Sequence, residues 1–137
     1  MKILNKLFII INLLVLQNEV VANSENQLLS KARNASDLYI ISLKTQGITE
    51  ENVSVFEKKI QSIITKLNKK SNEDDDGRIG DEIAVQQDLL DIVKLLLNYH
   101  KSPSKDQASK LHTLGSSYGC PVAELIESEL SKISPEE

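Results

Sequence analysis

Apolar positions recur along this chain at intervals of three and four residues, the spacing that places side chains on one face of an α-helix. No segment shows the period-two alternation of a half-buried strand. The first two predicted helices are separated by Gly47 and by Thr49, a favoured N-cap residue. A Ser24–Gln27 capping box opens the first. The two apolar stripes are Leu28, Ala32, Ala35, Tyr39 and Leu43, then Val53, Phe56, Ile60, Ile63, Ile64 and Leu67.

The third predicted helix runs from about Asp81 to His100, after an acidic linker at residues 71–80. Its apolar residues cover more than one face, which is typical of a central helix that touches several neighbours. They are Val85, Leu89, Leu90, Ile92, Val93, Leu95, Leu96 and Leu97.

Pro103 and a second capping box at Ser104 open a short fourth helix, and residues 115–119 form a predicted turn. Pro121 suits the first position of a fifth helix, with Cys120 as its N-cap. The apolar residues of these two helices are Ala108, Leu111 and Leu114, then Val122, Leu125, Ile126, Leu130 and Ile133. We therefore predict an all-α, single-domain bundle of about five helices over residues 23–137.

The first residues have the charged–apolar–small order of a signal peptide. Lys2 and Lys6 precede an apolar run at residues 7–16, which is shorter than the ~20 residues of a membrane-spanning helix. Val20 and Ala22 stand at the −3 and −1 positions of a cut after Ala22. We expect residues 1–22 to be a signal peptide and the protein to be secreted and extracellular. The alternatives are an uncleaved anchor and the start of a cytosolic helix.

The charge balance excludes two classes of partner. The whole chain has a formal net charge of −4, and removal of residues 1–22 makes it one unit more negative. Nucleic acids and anionic membranes both favour basic surfaces. We expect no nucleic acid and, after signal cleavage, no membrane.

Cys120 is the chain's single cysteine, so an intrachain disulfide is excluded. In an oxidising compartment it is buried, free, or paired with a second chain in a disulfide-linked homodimer. Burial is the outcome we favour, because the residues that follow begin an apolar stripe. If exposed, its place at a helix N-terminus would lower its pKa.

Two Asn-x-Ser sequons begin at Asn34 and Asn52 and predict a glycoprotein if the host attaches N-linked glycans. The acidic linker resembles the first part of an EF-hand calcium loop, with candidate oxygen ligands on Asn72, Asp74 and Asp76. The expected glutamate at position twelve is replaced by Ile83, so a solvated linker is the favoured interpretation. Lys69 and Lys70 are either a dibasic processing site or a cationic helix end, and we favour the latter.

No catalytic signature is present, and we predict neither an enzyme nor a cofactor. The two histidines, His100 and His112, lack metal-ligand spacing. A dyad of Cys120 with either one would lack an orienting third residue. Glu124, Glu127 and Glu129 are interpreted as a solvated helix face.

Three functions remain open. The favoured one is a secreted effector or signalling-type factor that binds a protein partner through a helix face. The first alternative is a carrier of a small apolar ligand held between helices, for which the wide apolar arc of the third helix is the motivating feature. The second is a calcium-responsive module built on the acidic loop.

Overall fold

The computed structural model describes residues 25–71 and 77–133, and within them it contains five α-helices and no β-strand. Helix α1 covers residues 25–46, and α2 is Glu50–Lys70. Helix α3 is Arg78–Lys101, α4 is Lys105–Tyr118 and α5 is Val122–Lys132. The all-helical bundle is confirmed. The predicted signal peptide lies outside the described residues.

The breaks between helices follow the local chemistry in most places. Gly47 ends α1 with φ +102°, a left-handed conformation that glycine adopts without a Cβ clash. The Thr49 side chain accepts a hydrogen bond from the Asn52 N–H, and that of Ser104 accepts one from the Gln107 N–H. The predicted N-caps Thr49 and Ser104 are therefore confirmed, whereas the capping box predicted at Ser24 begins outside the described residues.

Three predicted boundaries are wrong. Helix α3 starts at Arg78 rather than Asp81, so the linker predicted at residues 71–80 ends at Gly77; burial of Ile79 draws this first turn into the bundle. Residues 115–118, predicted as a turn, belong to α4. Helix α5 begins one residue later than predicted, with Pro121 rather than Cys120 at the N-cap position.

Helix α3 is the centre of the bundle, as its wide apolar arc predicts. It packs on α2, α4 and α5, and it is hydrogen-bonded to α1 through Glu82 and Gln86. Leu96, Val93 and Ile92 are at most 1% exposed. Five of the eight residues of its apolar arc are buried, and the core cluster of the described residues contains 21 buried hydrophobic residues.

None of the helices within residues 25–71 and 77–133 is both long and apolar enough to cross a membrane.

Candidate functional site

Helices α1 and α2 run antiparallel, and two contacts fix how they are aligned. The Asn52 side-chain amide donates a hydrogen bond to the Gly47 carbonyl at 3.0 Å. Farther along, Lys59 Nζ lies 4.9 Å from the centre of the Tyr39 ring. Because residue numbers rise on one helix as they fall on the other, the early part of α1 lies beside the late part of α2.

A groove of about 310 Å³ separates these two helix segments. We call it the α1–α2 groove. Its lining is apolar at the bottom and polar at the edges. The lining residues are Leu28, Lys31, Ala32, Ala35 and Tyr39 on α1, and Lys59, Ser62, Ile63, Lys66 and Leu67 on α2.

Small side chains create the groove. Ala32 and Ala35 face α2 where longer side chains would fill the space, and Ser62 is equally short on the other wall. Protein interiors are otherwise close-packed, with few voids larger than a water molecule. The volume lies at the lower end of the range, roughly 300 to 1,000 Å³, that is typical of small-molecule sites.

The apolar stripe predicted for α1 is only partly buried. Ala32 and Leu43 are core residues, whereas Leu28, Ala35 and Tyr39 are half-buried and line the groove. The core face of α1 is completed instead by Ile40 and by Ser36, both fully buried. The pocket motivated by the apolar arc of α3 is thus on a different pair of helices.

A polar cluster between α1 and α3 was missed by sequence reasoning. Arg33 donates two hydrogen bonds to the Glu82 carboxylate, at 3.1 and 2.7 Å, and Gln86 donates to Glu82 and to the Ser36 hydroxyl. The hydrogen bonding to Glu82 raises the pKa of Arg33, which stays protonated. The sequence signal was the pair of polar residues at positions 82 and 86, four apart and in phase with the buried Leu89, Leu90 and Val93.

Cys120 is exposed, so the burial that we favoured is wrong. Its thiol is a hydrogen-bonding partner of the Glu124 carboxylate, with 3.4 Å between Sγ and Oε1. This hydrogen bond and the negative charge of Glu124 raise the pKa of the thiol. The predicted lowering of the thiol pKa is therefore also wrong, because the hydrogen bond and the charge of Glu124 both favour the protonated thiol. A disulfide-linked homodimer stays a prediction.

The two histidines do not pair with Cys120. His112 Nδ1 lies 2.9 Å from Glu127, and His100 Nδ1 lies 3.5 Å from Glu129. Glu129 was expected on a solvated face together with Glu124 and Glu127, but it is only 2% exposed. It turns inward because it follows Leu125 and Ile126 by four and three residues on the same face of α5.

The two sequons lie in helices. Asn34 is exposed on α1, but the Ser36 hydroxyl of its sequon is buried and donates to the Arg33 carbonyl at 3.0 Å. Asn52 uses its side-chain amide for the bond to Gly47 described above. Glycosylation at either position stays a prediction.

The calcium candidates Asn72, Asp74 and Asp76 lie outside the described residues. Within residues 25–71 and 77–133, no group of three or more His, Cys, Asp or Glu side chains is arranged to hold a metal ion. No known protein family, no curated protein and no solved structure matches this chain.

Proposed function

We propose that the protein is an extracellular binding protein that carries a small apolar ligand in the α1–α2 groove. The observation that carries the proposal is the groove itself, about 310 Å³ in volume between two helices, with apolar residues at its bottom. Ligand sites in helical bundles are formed in this way, from side chains on facing helices.

The free energy for binding comes from apolar surface that the fold leaves uncovered. Leu28, Ala35 and Tyr39 are only partly buried, although they pack against the core cluster. A ligand that covers them removes apolar area from water, which is worth about 25 cal/mol per Å² before the entropy cost of association. The carrier function therefore has a stronger basis in this geometry than the effector function we first favoured.

Filling the groove tests the proposal. In the Ala35→Trp variant we expect the indole to fill the space beside Ala32 and Ile63 and to abolish binding of an environment-sensitive apolar dye. Ala84→Trp is the matched control, because Ala84 is exposed on α3 and does not line the groove. Dye binding that is equal in both variants would contradict the proposal, provided that circular dichroism shows both to be folded.

The effector function is retained as a second candidate because α1 also exposes two large apolar residues outside the groove lining. Leu38 is 64% exposed and Ile41 is 48% exposed, and a spacing of three residues places them on one face of the helix. Contiguous exposed apolar patches are typical of protein-binding surfaces, and we propose that these two residues form part of such a patch. Native mass spectrometry of the secreted protein separates the two functions, because a carrier gains a small mass and an effector gains a protein chain.

A further inference from the structure

We infer that the ligand of the α1–α2 groove is a single-chain amphiphile with an anionic head group, held with its head between Lys31 and Lys66 and its chain along Ala35 and Ile63. This inference rests on the proposed binding function of the groove and adds the chemical class of the ligand. It is carried by the placement of the three lysines in the lining.

The alignment of the helices sets two of these lysines opposite each other. Gly47 lies beside Asn52, and Tyr39 lies beside Lys59. Continuing this antiparallel alignment by two turns brings Lys31 on α1 beside Lys66 on α2, and both line the groove. Lys59 stands seven residues before Lys66, about 10 Å away along the α2 axis at 1.5 Å per residue. One end of the groove therefore carries two facing positive charges.

Within residues 25–71 and 77–133, no carboxylate neutralises these charges. Among residues 25–71 and 77–133, none of the three lysines forms an ion pair with an acidic side chain. Ion pairs within a helix form between residues that are three or four positions apart. At these distances from Lys31, Lys59 and Lys66 the sequence has no Asp or Glu.

This absence is notable because the chain is acidic overall, with 20 Asp and Glu against 16 Lys and Arg. Five lysines elsewhere in the described part of the chain do have carboxylate partners, namely Lys44, Lys94, Lys101, Lys110 and Lys132. An anion between Lys31 and Lys66 would relieve their mutual repulsion and supply the missing negative charge.

The third lysine of the lining, Lys59, lies beside the apolar part of the groove. Its ammonium group lies over the Tyr39 ring, so its methylene stem follows the groove wall while its charge is held by the aromatic face. The segment between Lys59 and Lys66 is lined by Ser62, Ile63 and Ala35, which suits an aliphatic chain.

The experiment compares three probes with the same alkyl chain and different heads: tetradecanoate, tetradecanol and tetradecyltrimethylammonium, each below its micelle concentration. Binding is measured by calorimetry or dye displacement at low and high salt. We expect tetradecanoate to bind most tightly, the quaternary ammonium most weakly, and the preference for the anion to shrink as salt screens the lysines.

Charge removal locates the head group. Replacing Lys31 and Lys66 by Gln should weaken tetradecanoate binding about tenfold, at about threefold per exposed ion pair, and should leave tetradecanol binding unchanged. The Lys58→Gln/Lys94→Gln variant makes the same change in net charge at two positions outside the groove lining and should bind tetradecanoate as the parent does.

The outcomes separate the inference from the proposed function. If tetradecanoate and tetradecanol bind equally well, the inference is overturned and the carrier function stands. If no probe binds and the Ala35→Trp variant behaves like the parent, both are overturned. Binding to vesicles of anionic phospholipid without binding to monomeric tetradecanoate would also overturn the inference, because it would indicate a membrane surface instead.

Discussion

Two side chains near the α4–α5 junction each form a hydrogen bond with a carboxylate that helps to keep them protonated. Tyr118 and Cys120 are two residues apart, and each has an acidic partner on a different helix, Asp88 on α3 and Glu124 on α5. For Tyr118, burial is the largest cause of a raised pKa and the Asp88 carboxylate adds to it, whereas for Cys120 the Glu124 carboxylate is the largest cause, so the phenol and the thiol stay protonated to higher pH. Cys120 is for this reason a less reactive thiol than its exposure alone indicates.

Tyr118 gives a prediction about alkaline stability. Burial, followed by its 2.5 Å hydrogen bond to Asp88, raises the pKa of the phenol to about 12. The folded chain thus holds this proton more tightly than the unfolded chain, whose tyrosines have a pKa of about 10. The stabilisation is complete below pH ~10 and is lost as the pH rises from ~10 towards 12.

We therefore expect Tyr118→Phe to reduce the decline in unfolding free energy over this pH interval, because phenylalanine has no proton to lose. Urea unfolding of parent and variant at several pH values measures this. A difference in stability between the two proteins that stays constant from neutral pH to pH 12 would contradict the role assigned to the hydroxyl.

At the scale of the helices, the end of α4 is where sequence reasoning failed most clearly. The Gly-Ser-Ser-Tyr-Gly segment at residues 115–119 has the composition of a turn. Only Gly119 acts as a stop, with φ +69°, whereas Gly115 is buried inside the helix. A Cβ at Gly115 would lie 3.5 Å from Ile126 Cδ1, so α5 crosses α4 closely at this point. The tertiary contact outweighs the local preference of glycine for a turn.

Two substitutions at Gly115 should have opposite effects. Alanine places its Cβ at ordinary contact distance from Ile126 and favours the helix, so Gly115→Ala should stabilise the protein by about 0.5–1 kcal/mol. Leucine adds atoms where Ile126 already packs, so Gly115→Leu should destabilise it by about 1–3 kcal/mol. Chemical denaturation measures both values. Equal stability of the two variants would show that the α4–α5 crossing is looser than described.

For the molecule as a whole, periodicity predicted the helices and the core of α2 and α3 because these depend on local spacing and burial of apolar side chains. It could not predict the groove. In the sequence, Leu28, Ala35 and Tyr39 have the same spacing as residues of a buried stripe. They are only half-buried because α1 and α2 are separated by the groove at this point. It also could not predict that Glu82 and Glu129 turn inward, since charged residues are rarely buried without partners on other segments.

The Arg33–Glu82 pair is one of the polar contacts that attach α1, one wall of the groove, to the central helix. The Glu82 side chain is 9% exposed and that of Arg33 is 48% exposed, so the pair is partly shielded from water. Loss of one partner from such a pair leaves a charge without compensation in a region of low dielectric. A surface ion pair, such as that between Lys101 and Glu50 at the other end of the bundle, carries no such penalty.

Removing the cation from each of these two ion pairs should have unequal effects on stability. Arg33→Met keeps the apolar stem but removes the guanidinium, and we expect it to lower the unfolding free energy by about 1.5–3 kcal/mol, the range for a hydrogen-bonded charged group. Lys101→Met, the surface control, should change it by less than about 1 kcal/mol. In the Arg33→Met/Glu82→Leu variant the buried carboxylate is also gone, so part of the lost stability should return even though no ion pair is restored. Urea denaturation at neutral pH measures all three variants. If the double variant is less stable than Arg33→Met, the Glu82 carboxylate stabilises the fold through its hydrogen bond from Gln86 by more than its burial costs, and the predicted recovery of stability is wrong.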